Sequence, residues 1–415
     1  MKQPIRATDA TINRAMIVDN RGFTLVEMIV VTAVFIVVLM ITGAALKTIF
    51  EKGGVTLRSE ESNTEGVVGL EMLRRDMQQA GYGLFSDEFS VPTYAEANAA
   101  PYSSYNDVNA VPRPIVTDNN LAVSGVLTGT DYLAIKGTTL GIQPVTQLWT
   151  SVPDTGVPKI WGRDDFTGSN DKLIAVEQKY DSINKRIVRR LVQKAANNYG
   201  VAYSATGAFT DQGNVNAAAD YTPSTGKLYY LYGIDNNASA NFTFRAPFNR
   251  ADYFVNRDAA TPGSCSPAAG VLFKAVMNQG DGSFNQIPVL DCVADMQVIL
   301  GWNTTATPET SNEVQAYTSA DGIAVSGNAN GLNLQSVRND PVEVNKRLRL
   351  VMVYLLAQDG RRDTNFANTN SAMVVGDTQL DPSGTLTKSV DLTVGNFRNY
   401  RWKLYRVIVR PKNIF

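Results

Sequence analysis

An apolar run near the start of the chain, "NRGFTLVEMIVVTAVFIVVLMITGAALK", limits what the chain can become more than any other feature. From Phe23 to Leu46 it holds one ionisable group, Glu27, and no proline. As a helix, that length crosses the roughly 30 Å hydrocarbon core of a bilayer. Ahead of it, Lys2, Arg6, Arg14 and Arg21 outnumber Asp9 and Asp19. This excess favours an N-terminus left in the cytoplasm and a remainder sent outward. The run is too long for the apolar part of an ordinary secretory signal. "GAALKTIFEKGG" also supplies no small-x-small cleavage site before the charged helix resumes. A carboxylate inside such a span costs a few kcal/mol and marks function.

Composition removes several chemistries. The 415 residues carry a net charge of −1, which does not suit a surface built to hold nucleic acid. With no histidine, Ser-His-Asp and Cys-His catalysis and imidazole-dependent zinc sites are excluded. Two cysteines, Cys265 and Cys292, cannot supply a four-thiolate metal site. In an exported chain they read as one disulfide, in a cytosolic one as two buried thiols. The disulfide would stabilise the fold by roughly 3 kcal/mol, mainly by restricting the unfolded chain.

The residues around Glu27 carry a family resemblance. "RGFTLVE" sets a basic residue, a glycine, an aromatic, Thr-Leu-Val and a glutamate fifth after the glycine ahead of an unbroken apolar run. It resembles the prepilin signal of type IV pilins and type II secretion pseudopilins. The resemblance implies that prepilin peptidase cuts after Gly22 and methylates the new amine of Phe23. It also implies that Glu27 pairs with the N-terminal amine of a neighbouring subunit, which would neutralise the charge and select the correct stagger. A 22-residue leader is long for this family; Met16 as the start would leave "MIVDNRG".

Beyond the span, Gly66, Leu70, Leu73, Met77 and Ala80 alternate at i+4 and i+3 spacing. They form an apolar stripe for packing beneath a head, with Glu71, Arg74, Arg75, Gln78 and Gln79 on the wet face. Glu71 and Arg75 form an expected i,i+4 pair, and Gly81 and Gly83 end the helix. A helix over 23–80 would be roughly 85 Å long, with Gly53-Gly54 the place for it to bend or melt. After Gly83 the texture predicts strands at 131–137, 185–192, 227–234, 252–256, 271–277, 293–302, 347–357 and 400–410. The segments 95–125, 193–226 and 303–340 read as long polar surface loops. Arg347, Arg349 and Arg401 are expected to face solvent.

"GVLFKAVMN", "VLDCVADMQVILGWNT", "RLRLVMVYLLAQDGR" and "YRWKLYRVIVRPKN", with the earlier "GTDYLAIKG", are similar in kind and order to the strands of PilW-type minor pilins. The expected fold is therefore α+β: the type IV pilin fold, a long N-terminal helix packed on a β-rich antiparallel head. Its divisions are a leader over 1–22, a membrane and assembly helix over 23–46, an amphipathic helix over 47–82 and a head over 83–415. The resemblance implies a low-copy subunit of a priming or tip complex, single-pass in the inner membrane with its head in the periplasm and then in the pilus at the cell surface. Partners would be other minor pilins, the major pilin, prepilin peptidase and the assembly platform.

Signs of chemistry are few. No G-x-S-x-G elbow or phosphate-binding loop occurs, and "STGKLYY" reads as a hairpin turn. "NQGDGS" around Asp281 lacks the alternating ligands and closing Glu of a calcium loop. Glu60-Glu61 reads as a solvated helix face. No cofactor or metal is expected. The alternative readings are a J-type minor pseudopilin of a type II secretion system and, from another class, a signal-anchored envelope enzyme or receptor. An adhesive or DNA-capturing tip is compatible with the first reading, although no basic aromatic groove supports DNA.

Overall fold

The computed structural model describes residues 23–414 except 87–91, 108–109, 154–155, 164, 169, 183–185, 194–198, 204–209, 212–225, 238–242, 260, 326–329 and 395–396. Within the first helix, the side chains of residues 48 and 50–65 are also left undescribed, and these include Glu60-Glu61. Two compact units meet between Leu57 and Arg58, and each is described by itself. The helix α1 is Leu25–Gln79. Its backbone stays helical through Gly53-Gly54, so the expected melting does not occur there.

Sixteen strands follow among the described residues: β1 (Ile115–Asp118), β2 (Tyr132–Gly137), β3 (Trp149–Val152), β4 (Asp171–Asp181), β5 (Arg186–Leu191), β6 (Gly200–Ala202), β7 (Thr210–Asp211), β8 (Leu228–Asn236), β9 (Asn249–Asn256), β10 (Gly270–Met277), β11 (Phe284–Trp302), β12 (Ala316–Ser319), β13 (Leu348–Asp359), β14 (Ala372–Gly376), β15 (Thr387–Asp391) and β16 (Arg401–Val409). Two short helices, α2 (Leu334–Val337) and α3 (Pro341–Arg347), lie between β12 and β13. The main sheet runs β1-β2-β9-β10-β11-β13-β16, with β12 also on β11. A second sheet runs β3-β8-β4-β6-β7, with β5 on β4, and β14-β15 form a hairpin. Every neighbouring pair is antiparallel, so helix and sheets give an α+β arrangement.

Side chains alternate across the main sheet, as a two-residue period requires. Leu133, Ile135, Ala251, Tyr253 and Val255 share one core with Leu73, Met77 and Ala80 of α1. Tyr132, Ala134 and Phe254 fill a different cluster. The stripe predicted on α1 is therefore core packing. Gly69 lies on it too, because a Cβ there would meet the Val289 carbonyl oxygen at 2.0 Å. Gly81, at φ +82°, ends the helix and donates its N–H to the Lys136 carbonyl at 2.9 Å. The stripe also contains a charge that periodicity did not single out. Asp76 is buried, 2.6 Å from the Lys274 ammonium, and accepts from the Tyr253 hydroxyl at 2.7 Å.

Several expectations fail. Glu71 pairs with Arg74 at 3.5 Å rather than with Arg75, whose guanidinium donates to Gln147. Arg347 and Arg349 do not face solvent: Arg347 bonds Glu343 at 2.5 Å and the Thr305 carbonyl at 2.8 Å. Arg349, 2% exposed, donates to the carbonyls of Pro308 and Ser311. Arg401 is partly exposed and pairs with Asp363 at 3.0 Å. The segment 303–340 is no surface loop, since Ala316, Ala320, Leu334 and Val337 join the main core. Most of 193–226, including the first part of the "STGK" turn, lies outside the described residues.

The segment 95–125 departs furthest from a surface loop. It brings Glu96, Asp107 and Arg113 against Lys136 of β2 and Arg250 and Asp252 of β9. Lys136 Nζ lies 2.8 Å from Glu96 Oε1 and 2.6 Å from Asp107 Oδ2. Arg250 reaches Glu96 at 2.9 Å and grips Asp252 through Nε and Nη2 at 2.8 and 2.7 Å. Arg113 holds Asp107 at 2.7 Å, and Tyr132 donates its hydroxyl to Asp252. Lys136, Glu96, Arg250 and Asp252 are fully buried. Burial alone would push the Asp107 carboxyl up, yet the Lys136 and Arg113 cations outweigh it and hold the group below its ordinary value.

Removing one partner of such a network leaves an uncompensated buried charge. Lys136→Met is therefore expected to destabilise the head by about 3–5 kcal/mol in denaturant unfolding. An effect under about 1 kcal/mol, the scale of a surface pair, would show that the network is not desolvated. The structure joins Cys265 and Cys292 in a disulfide with Cα atoms 4.9 Å apart. Non-reducing peptide mapping should recover the linked pair, and reduction should lower stability by roughly 3 kcal/mol.

Candidate functional site

In the first unit, α1 begins immediately after Thr24, and its first turn is built by Thr24 and Glu27. The Thr24 N–H and hydroxyl both donate to Glu27 Oε2 at 2.9 Å. The Glu27 N–H donates back to Thr24 Oγ1 at 3.3 Å. With Thr24 as N-cap and Glu27 at the third helical position, this is a reciprocal capping box. It satisfies two of the donors that every helix start leaves without intrahelical partners. The carboxylate also lies at the positive end of the helix dipole. The T-x-x-E signal for this cap stands in the sequence as "TLVE".

The following turns follow the same rule. Thr32 donates its hydroxyl to the Met28 carbonyl, and Thr42 donates to the Val38 carbonyl at 2.7 Å. Each hydroxyl is thus satisfied one turn back on its own helix, as an apolar solvent demands. From Leu25 to Lys47 the helix is long and apolar enough to cross a membrane, with none of this stretch buried. Phe23 is 82% exposed and Glu27 is exposed as well. Gly22 lies outside the described residues, so the structure does not show the three expected residues together. The two it does describe, Phe23 and Glu27, lie either side of Thr24.

The other candidates are plainly placed. Asp281 accepts from the N–H and hydroxyl of Ser283, at 2.9 and 2.7 Å, which makes its loop a self-satisfied turn between β10 and β11. Among the described residues no three carboxylates or thiols are grouped to hold a metal ion.

A family model described as the prokaryotic N-terminal methylation motif matches residues 18–43. No curated protein and no solved structure matches the chain. The chain therefore carries the N-methylation prepilin motif, which type IV pilins and pseudopilins share, on an apolar N-terminal helix.

Thr24→Val keeps the shape of the side chain and removes the hydroxyl. It should cost the helix start about 1 kcal/mol, seen as faster amide hydrogen exchange over 25–28 in detergent micelles. Unchanged exchange would mean that the cap does not hold the first turn.

Proposed function

We propose that this chain is a minor pilin of a type IV pilus, of the PilW type, and that it acts in the complex that starts assembly. The observation that carries this reading is the methylation motif over residues 18–43, coinciding with a membrane-length helix whose first turn is closed on Glu27. On this reading residues 1–22 are a cytoplasmic leader and prepilin peptidase cuts between Gly22 and Phe23. Residues 23–46 are the membrane and assembly helix, 47–82 continue it into the head, and 83–415 are a pilin head outside the cytoplasm.

The role of Glu27 follows from solvation. In a single subunit the capping box satisfies Oε2 from the chain itself. The carboxylate still carries a charge in an apolar medium, and a methylated Phe23 amine on a neighbouring subunit supplies the opposite one. Helix packing and this ion pair together set the stagger of subunits as other minor pilins and the major pilin join on the assembly platform. A role of this kind is structural and asks for no catalytic centre.

Gly22→Leu should leave an unprocessed precursor in the inner membrane, whereas Glu27→Ala should be processed yet fail to support filaments. Mature-sized protein from the first variant, or wild-type piliation with the second, would sink the reading. Pilins and pseudopilins share the motif, so the same variants should be scored for type II secretion. Lost secretion with normal piliation would assign the chain to the J-type pseudopilins instead.

A further inference from the structure

From the second sheet we infer a saccharide-binding platform built on two exposed indoles, Trp149 and Trp161. Trp149 opens β3, the edge strand, and Trp161 stands on the segment that follows it. The two rings lie 5.2 Å apart between centroids and tilt by 58°, forming a corner open to solvent. Tyr230 of β8 extends it, 6.1 Å from Trp149. Trp149 and Trp161 are 38% and 43% exposed, and Val157 and Ile160 beside them are 51% and 67% exposed.

Such exposure is more than a loose loop showing its side chains, because the backbone beneath it is braced. The Lys159 N–H donates to the Ser151 carbonyl at 2.9 Å, and the Thr150 hydroxyl donates to the Lys159 carbonyl at 2.6 Å. The Asp165 carboxylate accepts from the N–H groups of Trp161 and Gly162 at 2.9 and 2.8 Å. The Lys159 ammonium stands 4.1 Å from the Trp161 ring centroid. Four hydrogen bonds thus hold two apolar rings out in water, where burial would be favoured. Ring positions fixed in advance lower the entropy lost when a ligand binds.

Size and charge choose the ligand. Four partly exposed side chains present a few hundred Å², well short of the roughly 800 Å² that each partner gives to a stable protein interface. A phosphate backbone needs a track of cations, and beside the rings stand Lys159 and, two residues past Trp161, Arg163, on a chain of net charge −1. A pyranose fits better: its C–H face lies on one indole, its edge meets the other, and its hydroxyls face water and the ammonium. This assignment does not depend on the chain entering a filament.

The test is calorimetric titration of the full-length chain in a phosphocholine detergent, since an alkyl glycoside would itself compete. The probes are chitohexaose and cellohexaose, run beside dT12. Saturable binding of at least one hexasaccharide is expected. Trp161→Ala should weaken it about tenfold, the worth of one aromatic contact, and Trp149→Ala with Trp161→Ala should abolish it. An unchanged unfolding midpoint would show that the variants still fold. The inference is overturned if neither hexasaccharide binds, if the substitutions leave binding unchanged, or if only dT12 binds.

Discussion

The head depends on the pairing of six charges, four of them fully buried. Lys136 and Arg250 lie on neighbouring strands of the main sheet, and their register sets Lys136 opposite Arg250. Two cations side by side in a dry layer would repel, and each would carry a desolvation penalty of several kcal/mol. Glu96 lies between them with one oxygen on each, at 2.8 and 2.9 Å. Asp107 and Asp252 take the outer sides, and Arg113 completes the balance at three charges of each sign. The acids of one polar segment thus become the cover for a sheet face that could not otherwise be built.

The same requirement governs Glu27, in a different medium. In the head, a buried charge is met by opposite charges that the fold brings from far along the sequence. In the described part of the first helix the carboxylate bonds its own cap at Thr24. A cap supplies hydrogen bonds but no countercharge, which leaves part of the cost of burying the acid standing. On the proposed reading, a second subunit's amine would relieve that remainder, and carboxylate pairing and subunit association would be one event.

How much of this could be read in advance depended on where polar residues went. Strands that are nearly continuous apolar runs, such as "GVLFKAVM" and "RLRLVMVYLLA", lie within a few residues of their expected ends, and the apolar stripe over 66–80 is core as expected. The disulfide matches the reading of the two cysteines for an exported chain. The misses share one cause. Asp76, Glu96, Asp107, Lys136, Arg250 and Arg349 are charged residues that ordinary experience places in water, and each is buried here. Several of their partners are distant in sequence: Glu96 lies 40 residues from Lys136 and 154 from Arg250. No local period records such pairings. Segments rich in these residues therefore read as surface loops when they are in fact inner walls.

The two ends of the chain consequently answer to different constraints. The first turn of α1 is fixed by general requirements: a cap for orphan amides, hydroxyls satisfied one turn back, and a carboxylate at the positive end of a dipole. Any apolar helix that assembles through its N-terminus meets these demands in the same few residues, and a short motif matches there. The head answers to its own pairings, and one changed charge among six would require compensating changes elsewhere. The braced indole corner on the head's surface stands apart from the pairings that hold the fold.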